Sequence, residues 1–125
     1  MENLVRSYFD QETRIFYKIY TGVIKIDDVF ESWEESIRIS EIPAGTKRFL
    51  ISYKDARISF ASSKAHDIAD FYKRNDHIFG ISKIAMVMET PDQIVFPYLV
   101  EMEKVNFKVR SFYTMEAAIY WLMET

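Results

Sequence analysis

The chain has 125 residues, of which 49% are hydrophobic and 28% charged, with only three Gly and three Pro; this makeup fits one globular domain over residues 1–125 and excludes a disordered or repetitive chain. Lys and Arg total 16 against 19 Asp and Glu, and this acidic balance removes the general attraction that phosphate backbones need, so nucleic acid is not an expected partner. The absence of Cys excludes disulfides and thiolate sites, no apolar run reaches the roughly 18 residues of a membrane span, and MENLVRSYFD lacks a signal-peptide core, so a cytoplasmic protein is expected.

Taken in chain order, Val5 to Phe9 and Arg14 to Tyr20 are rich in β-formers and flank the polar segment Asp10 to Thr13, which predicts an antiparallel hairpin. After Gly22 the period changes. Asp28 and Glu31 have the spacing of a capping pair, and Phe30, Trp33 and Ile37 then recur on one helical face that ends before Pro43. Arg48 to Tyr53 predicts the next strand, with Lys54, Asp55 and Arg57 in a charged loop behind it. From Ser62 or Ser63 the apolar spacing of Ala65, Ile68, Ala69 and Tyr72 predicts a second helix, running to about Asn75.

Lys83 to Met88 reads as a buried strand. Thr90-Pro91-Asp92-Gln93 then signals a helix start, and Pro97 is expected to kink that helix by removing a backbone donor. Lys108 to Phe112 is the last strand, and Thr114 caps a final helix whose Ala118, Trp121 and Leu122 face inward. The order β-β-α-β-α-β-α-β-α predicts an α/β fold with a five-stranded mixed sheet, the first strand antiparallel and the rest parallel.

That succession, with Ile51-Ser52-Tyr53-Lys54-Asp55-Ala56, Lys83-Ile84-Ala85-Met86-Val87 and the closing run from Phe112 through Glu116 to Leu122, resembles the SpoIIAA-like branch of the STAS fold over nearly the whole chain. The resemblance implies a relative of anti-sigma-factor antagonists, which are switched by phosphorylation of a serine just after the third strand; related folds bind lipids or other apolar ligands. The switch motif of the antagonists sets Ser two residues after the Asp, whereas here Asp55 is followed by Ala56, Arg57 and Ile58.

In an open parallel sheet, ligands gather outside the carboxyl ends of the strands. Asp55 and Arg57 fall there and could contact a partner, Arg57 with a fork of donors; an ordinary surface ion pair explains them as well. Ser59, Ser62 and Ser63 follow and could accept a phosphate, while simple capping of the second helix explains Ser62 or Ser63 as well. Tyr53, Tyr72, Met86, Met88 and Phe96 could line an apolar ligand pocket between sheet and helices, or be plain core.

Signatures of enzymes are missing, and no cofactor is expected. His66 and Asp70 share a helical face without an evident third metal ligand, and His77 reads as a loop residue near a helix end. Glu34 and Glu35 are adjacent on a helix and point apart, and the three Gly are too isolated to cradle phosphate. If helices cover one sheet face, Phe49, Ile51, Tyr53, Ile84, Met86 and Met88 point to them. Arg14, Phe16, Lys18, Tyr20, Arg48, Leu50, Lys83, Lys108, Arg110 and Phe112 are then left on an opposite face that either meets a partner or discourages aggregation. Two functions are in view: a non-catalytic module binding another protein or a second copy as a homodimer, and a carrier or sensor of a small apolar ligand.

Overall fold

Five runs of β-branched and aromatic residues pair into one sheet, and helices close on both of its faces. The structure, a computed structural model, describes residues 5–59, 64–89 and 107–124. Strands β1 (Val5–Asp10), β2 (Ile15–Ile24), β3 (Arg48–Ile58), β4 (Lys83–Val87) and β5 (Lys108–Phe112) lie side by side in that order. β1 is antiparallel to β2, and every later pair is parallel, as strands alternating with crossover helices require. The helices are α1 (Ile26–Arg38), α2 (Ala65–Arg74), the single turn α3 (Asp76–Phe79) and α4 (Met115–Met123). The helix expected from Thr90, with its Pro97 kink, lies outside the described residues, as do Ser62, Ser63 and Phe96. Among the described residues no helix is long and apolar enough to cross a membrane.

The larger core lies between the sheet and α1, α2 and α3. Trp33 of α1 is its centre, with ring centroids 5.1 Å from Phe79, 6.0 Å from Phe49, 6.1 Å from Phe16 and 6.3 Å from Tyr72. The smaller core forms where Ala118 and Leu122 of α4 pack on Leu50, Ala85 and Val87 from the other side. The open sheet face expected from the strand alternation is therefore covered in part by α4. His77, expected in a loop, stands within the turn α3.

Phe16, Lys18 and Tyr20 are expected beside Arg48 and Leu50, and the register overturns this. Phe16 pairs with Phe49 and Lys18 with Ile51, and direct neighbours in a sheet share a face. All three side chains consequently point toward α1 and α2, while Ile15 and Tyr17 accompany Arg48 and Leu50 on the α4 side. Alternation within one strand defines two faces but leaves open how they match those of its neighbour.

A second correction concerns residues 54–58, expected as a loop but found as the end of β3. Thr21, Gly22, Val23 and Ile24 of β2 pair with Asp55, Ala56, Arg57 and Ile58, so the backbone of this charged segment is satisfied by a ribbon reaching past β4. Between Ile19↔Ser52 and Thr21↔Asp55 the register slips by one residue on β3. This bulge reverses the inward positions: Tyr53 points into the core before it, and Ala56 and Ile58 pack against the same core after it. Asp55 and Arg57 are thereby turned outward, which is the physical reason that a strand here carries charge.

α1 begins two residues before the expected cap. Asp28 is its third residue rather than its cap, and the Asp28 carboxylate accepts the Lys25 N–H at 2.8 Å, satisfying a donor that helix starts leave free. The face of α1 turned to the sheet comprises Val29, Ser32, Trp33 and Ser36, so two hydroxyls enter an otherwise apolar interface. At the other helical junction, Gly80 N–H donates to Asp76 O at 2.7 Å. A Cβ at Gly80 would stand 2.8 Å from that oxygen, so only glycine lets the chain leave α3 toward Ile81 and β4.

Candidate functional site

Parallel strands and returning helices create two edges, and the expected site residues belong to the carboxyl one. Asp55 and Arg57 are exposed on the outward face of the ribbon, beside Thr21 and Val23, and they form no ion pair with each other. Ser59 follows the strand, its N–H donating to Ile24 O at 2.8 Å. Lys54 Nζ stands 4.0 Å from a Glu89 carboxylate oxygen, both half exposed, so solvent weakens that attraction. On α2, His66 Nε2 and Asp70 Oδ2 are 3.2 Å apart and exposed.

The residues expected to line an apolar pocket occupy the larger core. Tyr53, Tyr72, Met86 and Met88 are fully buried. The Tyr53 ring stacks on Tyr20 at 5.0 Å, and Tyr72 meets Phe79 at 4.8 Å and Phe107 at 5.4 Å edge-on. Burial pushes the phenols of Tyr20, Tyr53 and Tyr72 up, because their charged form has no water around it. None of these four residues lines the surface hollows described below.

Lys18 is the polar centre of this core and is 1% exposed. Its ammonium donates to Ser7 Oγ at 2.9 Å, to Ser32 O at 3.2 Å and to Ser36 Oγ at 2.7 Å, and it lies 4.6 Å from the Trp33 ring centre. Three donors meet three acceptors. Ser36 in turn donates its hydroxyl hydrogen bond to the Glu41 carboxylate. Ser32 donates to Val29 O at 2.9 Å, so the 2.6 Å contact between Tyr20 and Ser32 has the tyrosine as donor. Burial lowers the Lys18 amine to about 8, and the charge of Glu41 opposes that shift. With each proton engaged and the side chain almost wholly buried, the amine fastens β1, β2, α1 and Glu41 together.

The surface between α1 and α2 is built differently. Phe30 and Phe71 meet with ring centres 5.5 Å apart. Together with Ile37 they floor a groove of about 530 Å³ between Glu34 and Arg38 on one side and Arg74 and Asn75 on the other. A second hollow of about 530 Å³ shares Phe30 and Arg74 and continues along α2 past Lys73 and Asp70 to Asp67. The stretch from Asp67 on α2 to Asn75, which caps its end, spans roughly 12 Å at helical rise.

These groove residues escape a reading by periodicity, because Phe30, Ile37 and Phe71 fit the inward stripe of their helices and count as core. The usable signal is width: α1 carries apolar residues at 29, 30, 33 and 37, more than one sheet face covers, so its flank remains for something else. Lys18 has a signal too, as a cation flanked in the alternation by Phe16 and Tyr20.

No protein-family model matches the chain, and no curated protein matches it. Among solved structures it is similar to an uncharacterized DUF3478-family protein with a SpoIIAA-like fold from Shewanella loihica PV-4. The two are 15% identical with a TM-score of 0.63, and the match covers 98% of each chain. That likeness, with the strand order and directions described above, shows that the chain has a SpoIIAA-like fold.

Proposed function

We propose that this chain is a non-catalytic interaction module that holds a short polypeptide segment of a partner protein in the groove between α1 and α2. The observation that carries this reading is the pairing of an apolar floor, Phe30, Ile37 and Phe71, with a rim of both charge signs. Glu34, Asp67 and Asp70 stand against Arg38, Lys73 and Arg74, a pattern that complements a polypeptide rather than a polyanion. A segment of about two helical turns, with apolar anchors one turn apart, fits the length of the groove. The full burial of Tyr53, Tyr72, Met86 and Met88 against their neighbours favours this reading over a carrier of apolar ligands. Asp55, Arg57 and Ser59 lie at the sheet edge from which both helices start, and we assign them a supporting contact.

A photo-crosslinking residue at Glu34 in the native cell, with one at exposed Tyr120 as control, identifies the occupant; a captured second copy of this chain would identify self-association. The captured protein is then titrated with purified wild type, Arg38→Glu/Arg74→Glu and Asp55→Ala/Arg57→Ala. Reversing the rim charges is expected to weaken binding about tenfold or more, and the ribbon pair less. Equal crosslinking from position 120, or full affinity in the rim variant, would remove the groove from consideration.

A further inference from the structure

The three central and outer parallel strands each begin on a cation. Arg48, Lys83 and Lys108 are direct partners in the β3–β4 and β4–β5 registers, so their side chains leave one face of the sheet on strands about 4.8 Å apart. Like charges set opposite one another repel, and the chain as a whole carries a net charge of -3. The row is thus a local concentration of positive charge on an acidic protein.

Two of the three are oriented by neutral oxygens. Lys83 Nζ donates to Trp121 O at 2.9 Å and Glu124 O at 3.0 Å at the end of α4, and Arg48 Nη1 donates to Thr13 O at 2.7 Å. Carbonyls position these side chains but carry no formal charge to cancel theirs. Lys108 is exposed, and so is Lys47, which precedes the row. These four cations line a hollow of about 270 Å³ in which, among the described residues, Glu124 is the single carboxylate. Leu122 and the 86% exposed Ile81 supply an apolar wall. An adjoining hollow of about 240 Å³ shares Lys47 and Arg48 and adds Arg14.

We infer that this hollow at the amino ends of β3, β4 and β5 binds a phosphate group carried on a small organic moiety. A phosphate monoester brings close to two negative charges and three acceptor oxygens, which suits several lysines acting as point charges beside one arginine fork. The volume lies near the lower end of small-molecule sites, enough for a small ester and not for a dinucleotide. Ile81 and Leu122 face the carbon part. A free ester and the headgroup of an anionic lipid share this chemistry. The site is on the opposite sheet face from the α1–α2 groove and is independent of the function proposed for it.

The test is a titration of the isotope-labelled chain with glycerol 3-phosphate, in parallel with vesicles of phosphatidylcholine that contain or lack phosphatidic acid. Saturable shifts of the Ile81, Lys83 and Lys108 amide signals with glycerol 3-phosphate are expected, weakened about tenfold or more in Lys47→Glu/Lys108→Glu. Binding only to the phosphatidic acid vesicles, with the same loss in the variant, would support the phosphate site and identify a headgroup as its source. Both substituted side chains are exposed, so the melting temperature should hold; Lys47→Gln/Lys108→Gln serves as a milder pair if it does not. Absence of a saturable response to either probe, or a response equal in wild type and a folded double variant, overturns the inference.

Discussion

Cations occur on both faces of this sheet and are treated in opposite ways. On the α1–α2 face, Lys18 is sealed from water, every ammonium proton has an acceptor, and the cost of desolvation is visible in an amine lowered to about 8. On the α4 face, Arg48, Lys83 and Lys108 stand in a row with Lys47 nearby, and among the described residues only one carboxylate shares their hollow. A charge saturated from within fastens elements together. A charge left in like-signed company at the surface retains unspent attraction for an anion. The two faces also differ in packing: Trp33 is fully buried among four rings, whereas Trp121 is half-buried and meets Phe112 at 5.5 Å.

The contrast in packing predicts the largest effect. Trp33→Ala should destabilise the fold by ~3–5 kcal/mol, and Trp121→Ala by ~1–2 kcal/mol, in urea unfolding. Equal losses would erase the distinction between the two faces.

The contrast between cations comes next. Lys18→Ala opens a cavity and strips a donor from Ser7, Ser32 and Ser36, at an expected cost of ~2–4 kcal/mol. Lys108→Ala should stay within ~0.5 kcal/mol, as for exposed residues generally. Lys18→Met restores volume without charge and should recover part of the loss, because an ammonium no longer has to be desolvated. A Lys18→Ala protein as stable as wild type would show that the buried network fastens nothing.

The smallest effect sharpens the same comparison through pH. The unfolded chain holds the Lys18 proton up to the ordinary value of 10.5 while the folded chain releases it near 8. The unfolded state therefore binds more protons in this window, and stability should rise from about pH 8 toward pH 10 by roughly 1–3 kcal/mol. Above pH 10 the sign reverses. Tyr20, Tyr53 and Tyr72 are held neutral by burial, so the unfolded chain loses their protons first and stability falls. Denaturant midpoints for wild type and Lys18→Met across pH 7.5–10 check this; a rise that persists in the variant would assign the titration elsewhere.

Much of the architecture was legible from periodicity. Thr114 was readable as a cap, and its Oγ1 accepts the Ala117 N–H at 3.1 Å. Residues 54–58 have a loop's composition but a strand's pattern: Ala56 and Ile58 alternate with Asp55 and Arg57, a period that the cluster of charges obscures. α3 is one turn long, too short for any 3.6-residue pattern to register. The cationic hollow was half visible, since Arg48, Lys83 and Lys108 each open a strand. Its other walls, Ile81, Leu122 and Glu124, come from a turn and a helix end that no local pattern brings together.

By itself the sequence determined the order of the strands, the parallel pairing that their alternation with helices entails, and the division of each strand into two faces. These follow from local spacing and from the short reach of the connections. Only the tertiary structure decided which faces of neighbouring strands coincide, and so whether Lys18 meets water or Ser36, and whether three cations at strand starts lie apart or in line. Register is fixed by contacts between residues far apart in the chain, and a one-residue slip such as the β3 bulge exchanges inside for outside.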